Sequence, residues 1–147
     1  MAVDGYLVKP VSIQNVRDVV RQFGDVLDSI LIIDEDQDFV RMMTRILESS
    51  VRRYQVISAH NGAEGIALFK HHKPGLVFLH LRLPDMSGIG LIEHFHGLPN
   101  WEGTPLIVIS GQDQSEFPEN SHEPITITRQ NGIAASQIIR LIQHLLD

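Results

Sequence analysis

Four polar side chains close three strand-sized apolar runs: Asp34 and Glu35 follow Ile30–Ile33, His80 follows Leu76–Leu79, and Ser110 follows Leu106–Ile109. If those runs are parallel strands of one sheet, their carboxyl ends lie side by side, which is where such sheets place ligands. Two carboxylates and an imidazole are acceptable donors for a transition metal. An imidazole beside two carboxylates also has its charged form favoured, so His80 can act as a built-in cation. Other histidines carry less. His71 and His72 end a helical segment, where cations suit the helix dipole, and His94 and His96 stand two apart on a helix and do not share a face. All four are read as surface residues, and Asp85, in the turn after His80, as a loop carboxylate. No GxxxxGK phosphate loop, HExxH pair or GxSxG elbow offers competing chemistry.

The elements that must position these residues follow from periodicity. Strands are expected at Ile30–Asp34, Tyr54–Ala59, Gly75–His80, Leu106–Ser110 and Ile125–Thr128, several of them apolar almost throughout, as in a sheet covered by helices on both faces. Between them run segments of helical period. One follows Asp36 as N-cap and carries Phe39, Met43, Ile46 and Leu47. A second carries Ala63, Ile66, Ala67 and Phe69, a third starts near Ser87 with Ile89, Leu91 and Ile92, and a last one carries Ile138, Leu141, Ile142 and Leu145. Alternation of this kind predicts a doubly wound parallel α/β sheet. Gly111–Pro124 breaks the rhythm with two prolines, four acidic residues and Phe117 as its one large hydrophobe, so the fourth helix is expected to be shortened or missing.

The stretch before Ser29 stands apart. Tyr6–Val8 reads as a short strand ended by Lys9-Pro10, and Ser12 caps a helix with Val16, Val19, Val20 and Phe23 on one face before Gly24 stops it. That apolar stripe must be buried somewhere. It is expected to pack where the fourth helix is missing, or against a second copy of the chain as a homodimer.

Composition bounds the function. The 147 residues are 43% apolar, enough for one core, and a net charge of -6 leaves no basic footprint for nucleic acid. The absence of cysteine fits a reducing compartment, with the cytoplasm as the expectation. The apolar runs fall short of a membrane span, and no signal-peptide pattern opens the chain.

Two stretches carry a family resemblance. ILIIDEDQDFVRMMTRIL resembles the first strand and helix of response-regulator receiver domains, and KPGLVFLHLRLPDMSGIGLIEHF their third strand, active-site loop and third helix. With NGAEGIALF and PLIVISGQD the likeness runs over roughly residues 29–147. It implies a flavodoxin-like (CheY-like) five-stranded parallel sheet of order 2-1-3-4-5. VDGYLVKPVSIQNVRDVV resembles the last strand and helix of another receiver. This divides the chain into a remnant strand-helix, 1–28, and a receiver-like domain, 29–147, as in a hybrid histidine kinase or another tandem-receiver protein.

In receivers an aspartate at the end of the third strand accepts phosphate, helped by Mg²⁺ on an acidic pair, a hydroxyl and a lysine. Position by position, Asp34 and Glu35 match the acidic pair, Ser110 the hydroxyl and Arg129 the lysine, while His80 stands at the phosphoacceptor. Histidine cannot form the aspartyl phosphate. The resemblance therefore implies a non-catalytic pseudo-receiver of a phosphorelay with a weak or lost Mg²⁺ site. It would work by contact with a histidine kinase or a neighbouring receiver. The alternatives are a metal- or ligand-sensing pocket of Asp34, Glu35 and His80, or phosphate acceptance by His80 itself.

Overall fold

The computed structural model describes residues 4–23, 28–49, 54–99, 101 and 103–111. Five strands form one sheet: β1 (Gly5–Val8), β2 (Ser29–Ile33), β3 (Gln55–Ala59), β4 (Leu76–His80) and β5 (Leu106–Ser110). Four helices accompany them: α1 (Ile13–Arg21), α2 (Gln37–Glu48), α3 (Gly62–His72) and α4 (Gly88–His96). Every strand pair is parallel and the order is β1-β5-β4-β2-β3.

From the β3 edge inward, the four later strands stand in the expected receiver arrangement, and the fifth place is taken by β1. The N-terminal strand is therefore part of the sheet and not an addition to it. It lies along β5 with Gly5 opposite Ile107 and Val8 opposite Ser110. The position beside β5 that chain order suggests for Ile125–Thr128 is thus occupied by Gly5–Val8. Ile125–Thr128, the final helix and the crossover after Gly111 lie outside the described residues.

Because strand side chains alternate between faces, the sheet builds two cores. Leu7, Ile30, Ile32, Leu76, Phe78, Ile107 and Ile109 point one way, onto Val16 and Val20 of α1 and Phe39, Val40, Met43, Ile46 and Leu47 of α2. Leu31, Ile33, Val77, Leu79, Leu106 and Val108 point the other way, onto Phe69 of α3 and Leu91, Ile92 and Phe95 of α4. β4 and β5 are buried along their whole length, as strands covered on both sides must be. The α1 stripe finds its cover here, beside α2 and on the side of the sheet away from α3 and α4.

Two helices begin with the caps expected of them, Ser12 and Asp36, and the helix expected to start near Ser87 is capped by it. Ser12, Asp36 and Ser87 accept from backbone N–H groups of the first turns of α1, α2 and α4. The α3 face departs from expectation. Ala63 and Ala67 are exposed, and Gly62, Gly65 and Phe69 are the buried positions. The reason is close approach. A Cβ on Gly65 would fall 2.7 Å from Ile33 Cδ1. The helix therefore rests on the sheet through glycine. Among the described residues no helix is long and apolar enough to cross a membrane.

Candidate functional site

The carboxyl ends of β1, β2, β4 and β5 lie on the same side of the sheet and deliver the polar residues of the site. β2 ends at Asp34, whose side chain is fully buried. Its own N–H donates to the Ala59 carbonyl at 3.0 Å, and its Oδ1 accepts the Asp36 N–H at 2.9 Å. The first bond ties its backbone to β3, and the second fixes the carboxylate against the turn that starts α2. Asp36 also caps that helix, accepting from Asp38 and Phe39 at 3.1 Å each. Glu35, between them, is exposed.

The cation of the site comes from β1. Lys9 follows Val8, its N–H donates to the Ser110 carbonyl at 2.8 Å, and its Nζ lies 2.9 Å from Asp34 Oδ2 and 3.7 Å from Asp36 Oδ2. The ammonium also sits 4.3 Å from the centroid of the Phe39 ring, a cation–π contact. Asp34 Oδ2 accepts no well-directed hydrogen bond among the described residues. The Lys9 charge is what offsets its burial. Sequence reasoning misses Lys9 as a residue of this site. The signal is present in Lys9-Pro10 at a strand end, but the resemblance assigns that pair to a different module. It gives the lysine place to Arg129, which lies outside the described residues, and the neutralising role falls to His80.

β5 contributes Ser110, fully buried, whose hydroxyl shares a hydrogen bond of 2.5 Å with the Tyr6 hydroxyl from β1. Both strands thereby present a hydroxyl to the same buried point, a pairing that neither strand alone reveals. β4 contributes His80, 6% exposed. Its Nδ1 lies 2.8 Å from the Arg82 carbonyl. Since a carbonyl oxygen only accepts, Nδ1 carries a proton. The loop that follows is tightly closed. Gly88 N–H donates to the Leu81 carbonyl at 2.7 Å, and a Cβ on Gly88 would fall 2.5 Å from Leu81 Cα and 2.8 Å from the His80 carbonyl oxygen.

Asp85 belongs to the same loop, and it binds protein rather than ligand. Its two oxygens accept the N–H groups of Gly62 at 2.7 Å and Ala63 at 2.9 Å, the first residues of α3. Those bonds, Gly62 first, hold its carboxyl below the usual aspartate range. His71, His72, His94 and His96 are exposed, as expected. The His96 ring lies 5.6 Å from the Trp101 ring, and desolvation holds its pKa below the ordinary histidine value.

The profile of the response regulator receiver domain matches residues 30–123. Among curated proteins, the transcriptional regulatory protein KdpE of Mycobacterium tuberculosis (strain ATCC 25618 / H37Rv) is 38% identical over 86 residues, 58% of this chain and 36% of that protein. The acid tolerance regulatory protein ActR of Rhizobium meliloti is 39% identical over 83 residues, 56% of this chain and 41% of ActR. The chain thus spans about two fifths or less of the length of these relatives. Protein PilH of Pseudomonas aeruginosa is 28% identical over 85 residues, 58% of this chain and 69% of PilH. Among solved structures, the signal receiver domain of a DNA binding response regulator protein from Colwellia psychrerythraea superposes with a TM-score of 0.55 at 21% identity, covering 81% of this chain and 98% of that one.

Proposed function

The chain belongs to the response regulator receiver family, and from that membership we propose that it is a two-component signalling module which is not phosphorylated on aspartate and which acts through protein contacts. The observation that carries the reading is a single exchange in an otherwise assembled site. Asp34, Lys9 and Ser110 stand at the strand ends, and where the phosphoacceptor belongs, at the end of β4, the side chain is His80. Imidazole offers no carboxylate oxygen to form an acyl phosphate.

The donor set does not suit Mg²⁺ either. That ion asks for near-octahedral oxygen ligands. Here the buried oxygen it would seek, Asp34 Oδ2, already has an ammonium at 2.9 Å, and the third position is an imidazole whose Nδ1–H is directed to a carbonyl. Among the described residues no three His, Asp or Glu side chains are grouped to hold a metal, which weighs against the metal-sensing alternative. Magnesium is therefore expected to bind weakly or not at all.

Receiver domains work with histidine kinases and other proteins, and a histidine kinase or a neighbouring receiver is the partner class we assign. On this reading residues 1–28 descend from the end of a preceding receiver in a tandem array, as in a hybrid histidine kinase, and complete the sheet of the module that follows.

The test is an amide NMR titration of the chain and of His80→Asp with Mg²⁺ and a phosphoryl mimic, following Lys9, Asp34 and Ser110. Silence of the native chain with a response in His80→Asp is the expected result. A response of the native chain at those residues overturns the reading. Stable phosphoryl transfer to His80 from a small phosphodonor does the same, in favour of histidine phosphorylation.

A further inference from the structure

β5 has two edges. One pairs with β4, and the other holds β1, whose Tyr6 and Lys9 complete the site and whose following helix covers the face shared with α2. That edge offers one place for a strand-helix unit, yet the sequence contains two units of the same design. In the first, the strand Gly5–Val8 is followed by Lys9, and α1 with the turn after it carries Val16, Val19, Val20 and Phe23. In the second, Ile125–Thr128 ends in Arg129, and a stretch of helical period carries Ile138, Leu141, Ile142 and Leu145. Each pairs a short strand-like run closed by a cation with a stripe at positions i, i+3, i+4 and i+7, one helix face. Both units flank the stretch 30–123 that the family profile matches.

We propose that the edge of β5 is an exchangeable docking place, and that residues 125–147 of the same chain compete with residues 4–23 for it. The two occupants would set different cations against Asp34, the Lys9 ammonium or the Arg129 guanidinium. A planar fork on a stem of different length does not reproduce the compact ammonium contact that Lys9 makes with both Asp34 and Asp36. Exchange is therefore a change of site chemistry as well as of surface. The inference concerns the scaffold and is independent of whether His80 accepts phosphate.

The geometry also says which occupant is preferred. If Arg129 is set at the Lys9 position, Ile127 takes the place of Leu7, Thr126 that of Tyr6 and Ile125 that of Gly5. A Cβ at Gly5 would fall 2.7 Å from Ile107 Cδ1. An isoleucine there enters only if Ile107 turns away. Threonine in place of Tyr6 gives up the buried ring and shortens the reach to the Ser110 hydroxyl. The N-terminal unit fits without these adjustments and holds the place.

The chain contains no cysteine, so paired substitutions report on docking without background. Leu7 pairs with Ile109 across the β1–β5 ladder. The double variant Leu7→Cys with Ile109→Cys should form its disulfide in most molecules, since neighbouring strands bring Cα atoms within bridging range. Ile127→Cys with Ile109→Cys should bridge in only a small fraction of the full-length chain. Adding Gly5→Ile, which gives β1 the same steric handicap, and Lys9→Glu, which sets a carboxylate against Asp34, should raise that fraction by about tenfold or more, within a monomer. A bridge that never forms, or forms only between two chains, overturns the proposal.

A melting curve guards against simple misfolding. The Gly5→Ile/Lys9→Glu chain should keep a cooperative transition that disappears when residues 125–147 are also removed. Loss of the transition while 125–147 is present overturns the proposal, because the second unit then cannot fill the place. An unchanged transition after their removal overturns it too, because the place then needs no occupant.

Discussion

Two strand ends on the same side of the sheet are held in opposite ways. At the β1–β2 end, a lysine from outside the profile-matched stretch stands against a buried aspartate, and the charge pair is complete. At the β4 end, inside that stretch, the loop from Leu81 to Gly88 is closed by tight backbone contacts, and the residue that leads into it is a histidine. The difference teaches that scaffold and chemistry are separable. The strand ends demand particular shapes and charge balance, and they are met; on the proposed reading the reactive carboxylate answers to catalysis alone, so the scaffold can stand without it.

If this division is right, the largest losses of stability should come from the sheet centre, which both ends share. Phe78 is a fully buried ring in the middle of β4. Phe78→Ala should cost about 3–5 kcal/mol. Val16, in the peripheral α1, is fully buried too. Val16→Ala removes two carbons and should cost about 2 kcal/mol, at roughly 0.8 kcal/mol per carbon plus a small cavity. Denaturant unfolding followed by circular dichroism measures both. Equal losses would mean that β1 and α1 are as central as β4.

Next comes the charge pair. Lys9→Met strands the fully buried Asp34 carboxylate without its counter-charge, while Lys9 itself keeps 19% of its side chain in solvent. Breaking fully buried pairs costs about 3–5 kcal/mol, and this partial exposure brings the expected loss below that range, to about 2–3 kcal/mol. Adding Asp34→Asn should recover much of it. A double-mutant cycle that shows no coupling between the two positions would break the claim that this end is held by charge.

The opposite end should fail by shape. Gly88→Ala puts a methyl group 2.5 Å from Leu81 Cα, a backbone atom that cannot step aside as a side chain could. Overpacking of this kind costs about 1–3 kcal/mol. His80→Asp should lower the melting temperature by less, since it gives up one hydrogen bond to the Arg82 carbonyl while the backbone contacts that close the loop remain. A large drop in His80→Asp would show that the histidine is itself part of the packing.

Much of this is legible in the sequence, for reasons that differ from residue to residue. Strand ends such as His80 and Ser110 are found because a polar residue closing an apolar run is a local signal, and Phe39, Met43, Ile46 and Leu47 because helical period is local too. Pairing is not local. Tyr6–Val8 reads as a strand from its own residues, but nothing within it names β5 as its neighbour, and chain order suggests a different fifth strand. Lys9 escapes notice for that reason alone. The α3 face is misread because close approach selects glycine, of Gly65 to Ile33 in the sheet and of Gly62 to Met86 in the loop after β4, and a search for apolar stripes passes over both in favour of Ala63 and Ala67.

The smallest expected effect joins the β4 loop to its neighbour through Asp85, whose carboxylate reaches to the first turn of α3. Its folded-state pKa lies below the ordinary 3.8 because the Gly62 and Ala63 N–H groups donate to the charged form. The unfolded chain therefore binds its proton at higher pH than the folded chain does. The stabilisation is present above pH 3.8 and fades as pH falls through the lower folded value. Asp85→Asn keeps the shape but supplies one neutral acceptor oxygen where the carboxylate has two. It should be less stable than the native chain at neutral pH, and the gap should narrow steadily below pH 3.8. A gap that stays constant through strongly acid pH would mean that α3 is held by packing against Ile33, and that the loop led by His80 shapes its neighbour without help from charge.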